Sequence, residues 1–362
     1  MAGYLLPLSY LSTFGGTLFA SIEAKKLQDG EKMYELYIEK PGHLKMKESA
    51  PAPAPKGNEV KLKVIYGGIC GSDLRVLKGS IPYANYPCRP GHEILGTTVE
   101  AGKKSPHQVG TKVVSFPNTY CGECEFCLQG KTNICKNKKS FGITVNGLFA
   151  QEITIESEFV VPIPSDLAEE RAILIEPFAV NVHALKRANI TKGTSVAVIG
   201  CGTEGLLAIA LLSHMGADLT VLDISSAKME KAKSFGKNIK TIPPADVKDQ
   251  VFDVVVEAAG VKASIEQAFQ LVKPGGAMIS LGITGDEISY PALRITRSEI
   301  TIYGTIIYTK KDFADALALL QDPTFNVAPV FSKIVPFTKY QEAFADALTG
   351  NFAKIVLDFK EA

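Results

Sequence analysis

Tryptophan is absent from this 362-residue chain, and that absence decides nothing; other scarcities decide more. Neither sign of charge is in excess, with 39 Lys and Arg against 38 Asp and Glu. A chain so balanced has no electrostatic attraction for nucleic acid or for an anionic membrane. Long unbroken apolar runs are missing too. The most apolar stretch, Tyr4 to Ala20, is interrupted by Pro7 and Gly15-Gly16, is short for a spanning helix, and has no Lys or Arg before it. Residues 1–32 are expected to be an extension outside the regular pattern or a segment packed against a neighbour. A signal peptide or anchor is the alternative reading. Seven cysteines are too few and too unevenly placed for a disulfide framework, since four of them fall between Cys121 and Cys135. That clustering points to a metal in a reducing compartment, hence to the cytoplasm.

What is present begins with length: 362 residues exceed one ordinary core, so two domains are expected. The stretch Gly67-Gly68-Ile69-Cys70-Gly71-Ser72-Asp73 follows a strand pattern from Val60 to Tyr66, and Pro90-Gly91-His92-Glu93 follows a Pro-containing loop. Thiolate and imidazole are ligands that zinc prefers. A hydroxyl lies two residues after the cysteine, and carboxylates directly follow both Ser72 and His92. Those are the parts of a catalytic metal site, although a buried Cys and a structural His would read the same way. Further on, Cys121, Cys124, Cys127 and Cys135 are close enough to enclose one tetrahedral zinc with no open position, which would make that ion structural. A nucleic-acid knuckle has similar spacing, but the neutral chain argues against it.

Short strands punctuated by Gly and Pro dominate up to Val161, which indicates a β-rich domain. Tyr34 to Glu39 alternates like an exposed strand, Ile94 to Ala101 and Gly110 to Phe116 read as strands, and Leu167 to Arg187 has helical spacing. Thr194 to Ile199 is then an apolar strand running into Gly200-Cys201-Gly202-Thr203-Glu204-Gly205 and an apolar helix to His214. A second strand, Leu219 to Leu222, ends at Asp223. Strand, glycine turn, helix and acid in that order form a dinucleotide fingerprint. The glycines let backbone amides approach the pyrophosphate, and Asp223 suits ribose hydroxyls. With Asp223 there and Ile224-Ser225-Ser226 after it, a 2′-phosphate is repelled, so NAD is favoured over NADP. Lys228 either leans on the same ribose or is a solvated helix lysine. Strands at Phe252 to Glu257, Ala277 to Leu281 and Ile300 to Ile306 continue a βαβ alternation and a doubly wound parallel sheet. Lys354 to Phe359 falls outside it and is expected to return to the first domain.

In combination and in this order, these motifs resemble the zinc-dependent medium-chain dehydrogenase/reductase family of alcohol and polyol dehydrogenases. The resemblance runs from Met33 to the C-terminus. It implies an α/β protein with a GroES-like catalytic domain (33–185 and 307–362) and a Rossmann NAD-binding domain (186–306). It also implies one catalytic and one structural zinc, and a homodimer or homotetramer. Carried over, Cys70 and His92 are ligands of the catalytic zinc. Asp73 accepts the free imidazole N–H, Ser72 relays the proton, and Glu93 and Glu176 are both candidate carboxylate ligands. Cys121, Cys124, Cys127 and Cys135 match the structural zinc lobe. The glutamate at 176 resembles the sorbitol, threonine and butanediol dehydrogenase branches. The implied reaction is hydride transfer between a secondary alcohol, diol or polyol and NAD, giving a ketone. Arg75 stands where many relatives end the proton relay with histidine, and Glu204 where they have an aliphatic residue. Ile307 stands where sorbitol dehydrogenases have a substrate-binding arginine, which leans toward a less polar substrate. Arg75 and Glu204 motivate the alternative, a non-catalytic dinucleotide-binding member of the same fold. Cys88, four residues before His92, reads as a loop thiol, with oxidative interference with the zinc as the alternative.

Overall fold

The computed structural model describes residues 32–248 and 250–360, so the expectation for the N-terminal extension lies almost wholly outside the described residues. Met33–Lys40 (β1) and His43–Ser49 (β2) form an antiparallel hairpin. Its alternation buries Leu36 and Ile38 completely, as the period of two requires.

Glu59–Ile69 (β3) is the organising strand of the first unit. Glu93–Ala101 (β4) pairs with it antiparallel, Lys112–Ser115 (β5) joins β4, and Glu152–Glu156 (β6) returns to β3. Val160–Pro162 (β7) closes against β5. The helical pattern from Leu167 to Arg187 resolves into two helices, Glu169–Ala172 and Ile175–Leu185. Pro177 explains the break. It lacks an amide to continue a helix from residue 173, yet is harmless in the first turn of the second helix, where amides have no intrahelical acceptor.

Ser195–Ile199 (β8), Asp218–Leu222 (β9), Lys240–Thr241 (β10), Phe252–Glu257 (β11), Val272–Ser280 (β12) and Thr301–Gly304 (β13) form a six-stranded sheet. Its order is β10-β9-β8-β11-β12-β13 and every pairing is parallel. Val196, Ala197 and Val198 are fully buried, because a parallel strand covered on both faces is apolar throughout. The strand order reverses between β8 and β11, which opens a crevice at the carboxyl ends of the strands. β12 starts five residues earlier than its apolar pattern indicated, and β13 is shorter at both ends.

Finally Phe331–Pro336 (β14) and Lys354–Asp358 (β15) run parallel to each other, and β15 pairs antiparallel with β3. The C-terminal strand thus returns to the first sheet, as its position outside the βαβ pattern indicated. The result is a GroES-like unit joined to a Rossmann unit. Gly68 pairs with both Glu93 and Val356, and Ile69 with Ile355. Three neighbouring strand ends therefore bring Cys70, Glu93 and Lys354 to one place.

Candidate metal centre and dinucleotide cleft

Cys70 leaves β3 as the N-cap of the helix Gly71–Lys78, and His92 directly precedes β4. Asp73, 1 % exposed, staples the two loops: Oδ2 accepts from the Cys70 amide at 2.9 Å and Oδ1 from the Gly91 amide at 3.0 Å. His92 Nδ1 is 3.5 Å from Asp73 Oδ1 and has no hydrogen-bond partner, so the expected imidazole–Asp73 hydrogen bond is replaced by a looser electrostatic contact. On the other side of the ring, Nε2 lies 3.4 Å from Ser72 Oγ. Burial opposes a charge on His92, but Asp73 and Cys70 outweigh it and raise its pKa well above the ordinary value. An environment that favours a proton on the ring in this way favours a bound cation as well. One ligand atom each from Cys70, His92 and Glu93 lies within 4.8 Å of the others, close enough to share an ion.

Glu93 is wholly buried and Lys354 is 1 % exposed; the ammonium meets both carboxylate oxygens, at 2.7 and 2.6 Å. Gly68 makes room for the pair, since a Cβ there would lie 2.1 Å from Glu93 Oε2. Glu176 stands outside the Cys70–His92–Glu93 group. Its Oε1 accepts from the Tyr308 hydroxyl at 2.6 Å, with both side chains buried. Burial pushes the Glu176 carboxyl up to about 7, His92 pulls it down, and Glu93 pushes it up again. Tyr308 follows Ile307, a β-branched residue held at φ 53, a strained conformation that swings the chain out of the Rossmann sheet toward the metal centre.

The other four cysteines form a compact cage. Sγ separations are 4.0 Å for Cys121–Cys127, 3.5 Å for Cys124–Cys127, 3.9 Å for Cys124–Cys135 and 3.6 Å for Cys121–Cys135. A zinc tetrahedron with bonds of about 2.3 Å has edges of about 3.8 Å, so the cage fits that ion. Disulfides are ruled out by the same distances. Backbone amides point at the sulfurs, as at Cys124 N to Cys121 Sγ, 3.4 Å. The amides of Cys127 and Lys136 bring the Cys124 thiol down to about 6, while loss of hydration and the neighbouring sulfurs push the Cys127 thiol up to about 12, so without a cation the cage does not ionise as a whole.

In the second unit, the glycine turn leads from β8 into the helix Thr203–His214, with Gly202 as its N-cap. A Cβ on Gly205 would lie 1.8 Å from the Gly200 carbonyl, so strand and helix approach closely only because it is glycine. Asp223, at the end of β9, accepts from the Cys201 amide at 2.7 Å and the Ser225 amide at 2.8 Å. Lys228 is half-buried and faces Cys201 electrostatically. Open amides at a helix start beside an acid are the arrangement that a dinucleotide's pyrophosphate and ribose require.

Residues 56–165 match the family description "Alcohol dehydrogenase GroES-like domain", and residues 205–322 match "Zinc-binding dehydrogenase". Sorbitol dehydrogenase of Halalkalibacterium halodurans is 30% identical over 331 residues, 87% of this chain and 96% of its own. The chain belongs to the zinc-dependent medium-chain alcohol and polyol dehydrogenases. Among solved structures, a zinc-binding dehydrogenase of Sinorhizobium meliloti bound to NADP superposes with a TM-score of 0.84 at 25% identity, covering 91% of this chain and 99% of its own. An alcohol dehydrogenase of Escherichia coli CFT073 complexed with NADH gives 0.85 at 25% identity, covering 91% and 100%.

This dehydrogenase is an oxidoreductase of CH–OH groups in alcohols and polyols, using zinc and a nicotinamide dinucleotide. Among the described residues, no helix is long and apolar enough to cross a membrane. Sequence reading missed Lys354, Tyr308 and Asn181. A lone lysine opening the apolar run Ile355-Val356-Leu357 was the available signal for the first. His183 is structural: Nδ1 lies 2.8 Å from Asp312 and Nε2 3.4 Å from Asn133, tying its helix to the cysteine lobe. Cys88 is 2 % exposed, and burial pushes its thiol up to about 11, so it is neither accessible nor reactive.

Proposed function

We propose that this dehydrogenase oxidises a secondary alcohol, diol or polyol to a ketone with NAD in preference to NADP. The observation that carries the reading is the convergence of Cys70, His92 and Glu93 within 4.8 Å, with buried Glu176 near enough to feel the charges of His92 and Glu93. When bound, zinc would supply Lewis acidity toward the substrate hydroxyl, and the nicotinamide would supply a hydride acceptor. The remaining work falls to side chains. Cys70 and His92 would hold the metal, and the carboxylate ligand would be Glu176 or, on release from Lys354, Glu93. Ser72, beside His92, accepts the hydroxyl proton and passes it outward. Asp73 holds the Cys70 and Gly91 amides and so fixes both ligand-bearing loops. Tyr308 orients Glu176.

Asp223 supports the NAD preference: its buried carboxylate stands by the glycine turn and repels a 2′-phosphate. The apolar Ile307 favours a substrate less polar than a hexitol. Pairing of β15 with β3 supports a catalytic unit of 33–185 and 307–362 around a cofactor unit of 186–306. A homodimer or homotetramer belongs to the proposal. Edge strand β13, with Ile302 exposed on it and Tyr290 and Leu293 exposed just before it in the chain, supports a second copy pairing there. Four free cysteine thiols poised for zinc support a reducing cytoplasm.

The test is a panel of diols, polyols and simple secondary alcohols, each assayed with NAD and with NADP on protein of measured zinc content. Turnover of at least one member with NAD, at a higher kcat/KM than with NADP, is expected. Inactivity of zinc-loaded protein across the panel would overturn the proposal.

A further inference from the structure

Glu204 is the second residue of the helix that follows the glycine turn, where a carboxylate does nothing for a pyrophosphate. Its side chain crosses to the other unit instead. Oε2 accepts from Asn181 Nδ2 at 2.7 Å, and Asn181 lies on the helix that carries Glu176. Asn181 is fully buried, its Nδ2 also contacts the Pro177 carbonyl at 3.3 Å, and its Oδ1 has no partner. The charged groups facing Glu204 are Lys354 from β15, Glu93 from β4, and Glu176. Lys354 is already held by both oxygens of Glu93. Loss of hydration raises the Glu204 carboxyl, Lys354 opposes that, and Glu93 and Glu176 add to it, so it stands at about 8. The cleft between glycine turn and metal centre therefore contains an acid with no cationic partner of its own.

A cation is the natural complement of such an acid. In a nicotinamide dinucleotide, the ring is cationic when oxidised and neutral when reduced, while the rest of the molecule is unchanged. That ring has to reach from the glycine turn to a substrate at the metal centre, across the space that Glu204 spans. We propose that Glu204 discriminates between the two oxidation states of the dinucleotide, holding the cationic oxidised ring in preference to the neutral reduced one. The inference rests on the dehydrogenase reading above and deepens it: Glu204 makes the site load the oxidised dinucleotide in preference to the reduced one. The pyrophosphate is the same in both states, so the signature is a ratio and not an affinity.

Calorimetric titrations of NAD and NADH, run separately at pH 9 where the carboxyl is ionised, read that ratio for the parent and for Glu204→Gln. The ratio of Kd for NAD to Kd for NADH is expected to rise about tenfold in Glu204→Gln, the factor that corresponds to ~1.4 kcal/mol. Glu204→Leu, which removes the same charge with an apolar side chain, is expected to shift the ratio in the same direction. Circular dichroism identifies a variant that has failed to fold, and the other then decides. Equal changes for both ligands, or none, would overturn the inference while leaving the dehydrogenase reading intact. A parent protein that binds neither ligand would overturn both.

Discussion

Lys354 and Glu93 form a fully buried ion pair, in which one ammonium meets both oxygens of the carboxylate beside the metal-binding cysteine and histidine. The strand that brings the lysine is the last in the chain, and the one that brings the glutamate is the fourth. Taking two charges out of water is expensive, and their mutual attraction compensates only while both partners are present. The last strand is therefore fastened to the metal centre by an interaction that punishes the loss of either side.

Lys354→Met leaves Glu93 as an unpaired buried carboxylate and is expected to cost about 3–5 kcal/mol of stability. Urea denaturation of the zinc-loaded protein measures it. The double variant Lys354→Met/Glu93→Gln should recover part of that loss, because it removes the orphaned charge. A double variant no more stable than the single one would show that the loss has another cause.

Zinc in the cysteine cage depends on all four sulfurs. Cys124→Ser removes the sulfur whose thiolate the amides of Cys127 and Lys136 favour most, and is expected to release one equivalent of zinc per chain. The lobe also reaches the Glu176 helix through Asn133 and His183, so heat stability should fall with it. Metal analysis after gel filtration, together with a thermal melt, checks both outcomes. Undiminished zinc content would refute the cage assignment.

Asp223→Ser removes the carboxylate that the Cys201 and Ser225 amides hold in place. The ratio of kcat/KM for NAD to that for NADP is expected to fall by about tenfold, the equivalent of ~1.4 kcal/mol of relieved repulsion. An unchanged ratio would mean that cofactor choice is made elsewhere.

Asp253 gives a pH prediction away from the site. The Ser195 hydroxyl at 2.6 Å, Lys273 at 2.9 Å and the Ser195 amide at 2.9 Å bring its carboxyl down to about 2, from an ordinary value of 3.8. A depressed acid stabilises the fold above its unfolded pKa and loses that contribution as pH falls through the folded one. Stability from this group is therefore close to complete above about pH 4, falls through the interval between, and is gone only below about pH 2. The side chain is 45% exposed, so the effect should stay below ~1 kcal/mol. Asp253→Asn is expected to flatten that part of the acid limb in a pH series of denaturation midpoints, and a parallel limb would contradict the assignment.

Much of the architecture was legible in the chain because local patterns carried it. The βαβ alternation, the glycine turn between strand and helix, and the four closely spaced cysteines depend on residues near one another in sequence, so periodicity and spacing revealed them. Cys70 and His92 were legible for a related reason: each sits in a turn next to a strand, and the pairing of those strands brings the turns together. Even the return of the last strand showed as an apolar run outside the alternation.

Contacts between distant segments were another matter. Lys354 lies 261 residues from Glu93, Tyr308 lies 132 from Glu176, and Glu204 lies 23 from Asn181 on an element of the other unit. Nothing in the neighbourhood of those residues says which charge or hydroxyl they will face. Residue identity set which chemistry was available; the packing of β15 on β3, the strained turn at Ile307 and the closure of the two units set which groups meet. Burial then determined the consequences, because the same carboxylate is an ordinary acid in water and a strongly perturbed one where hydration is lost.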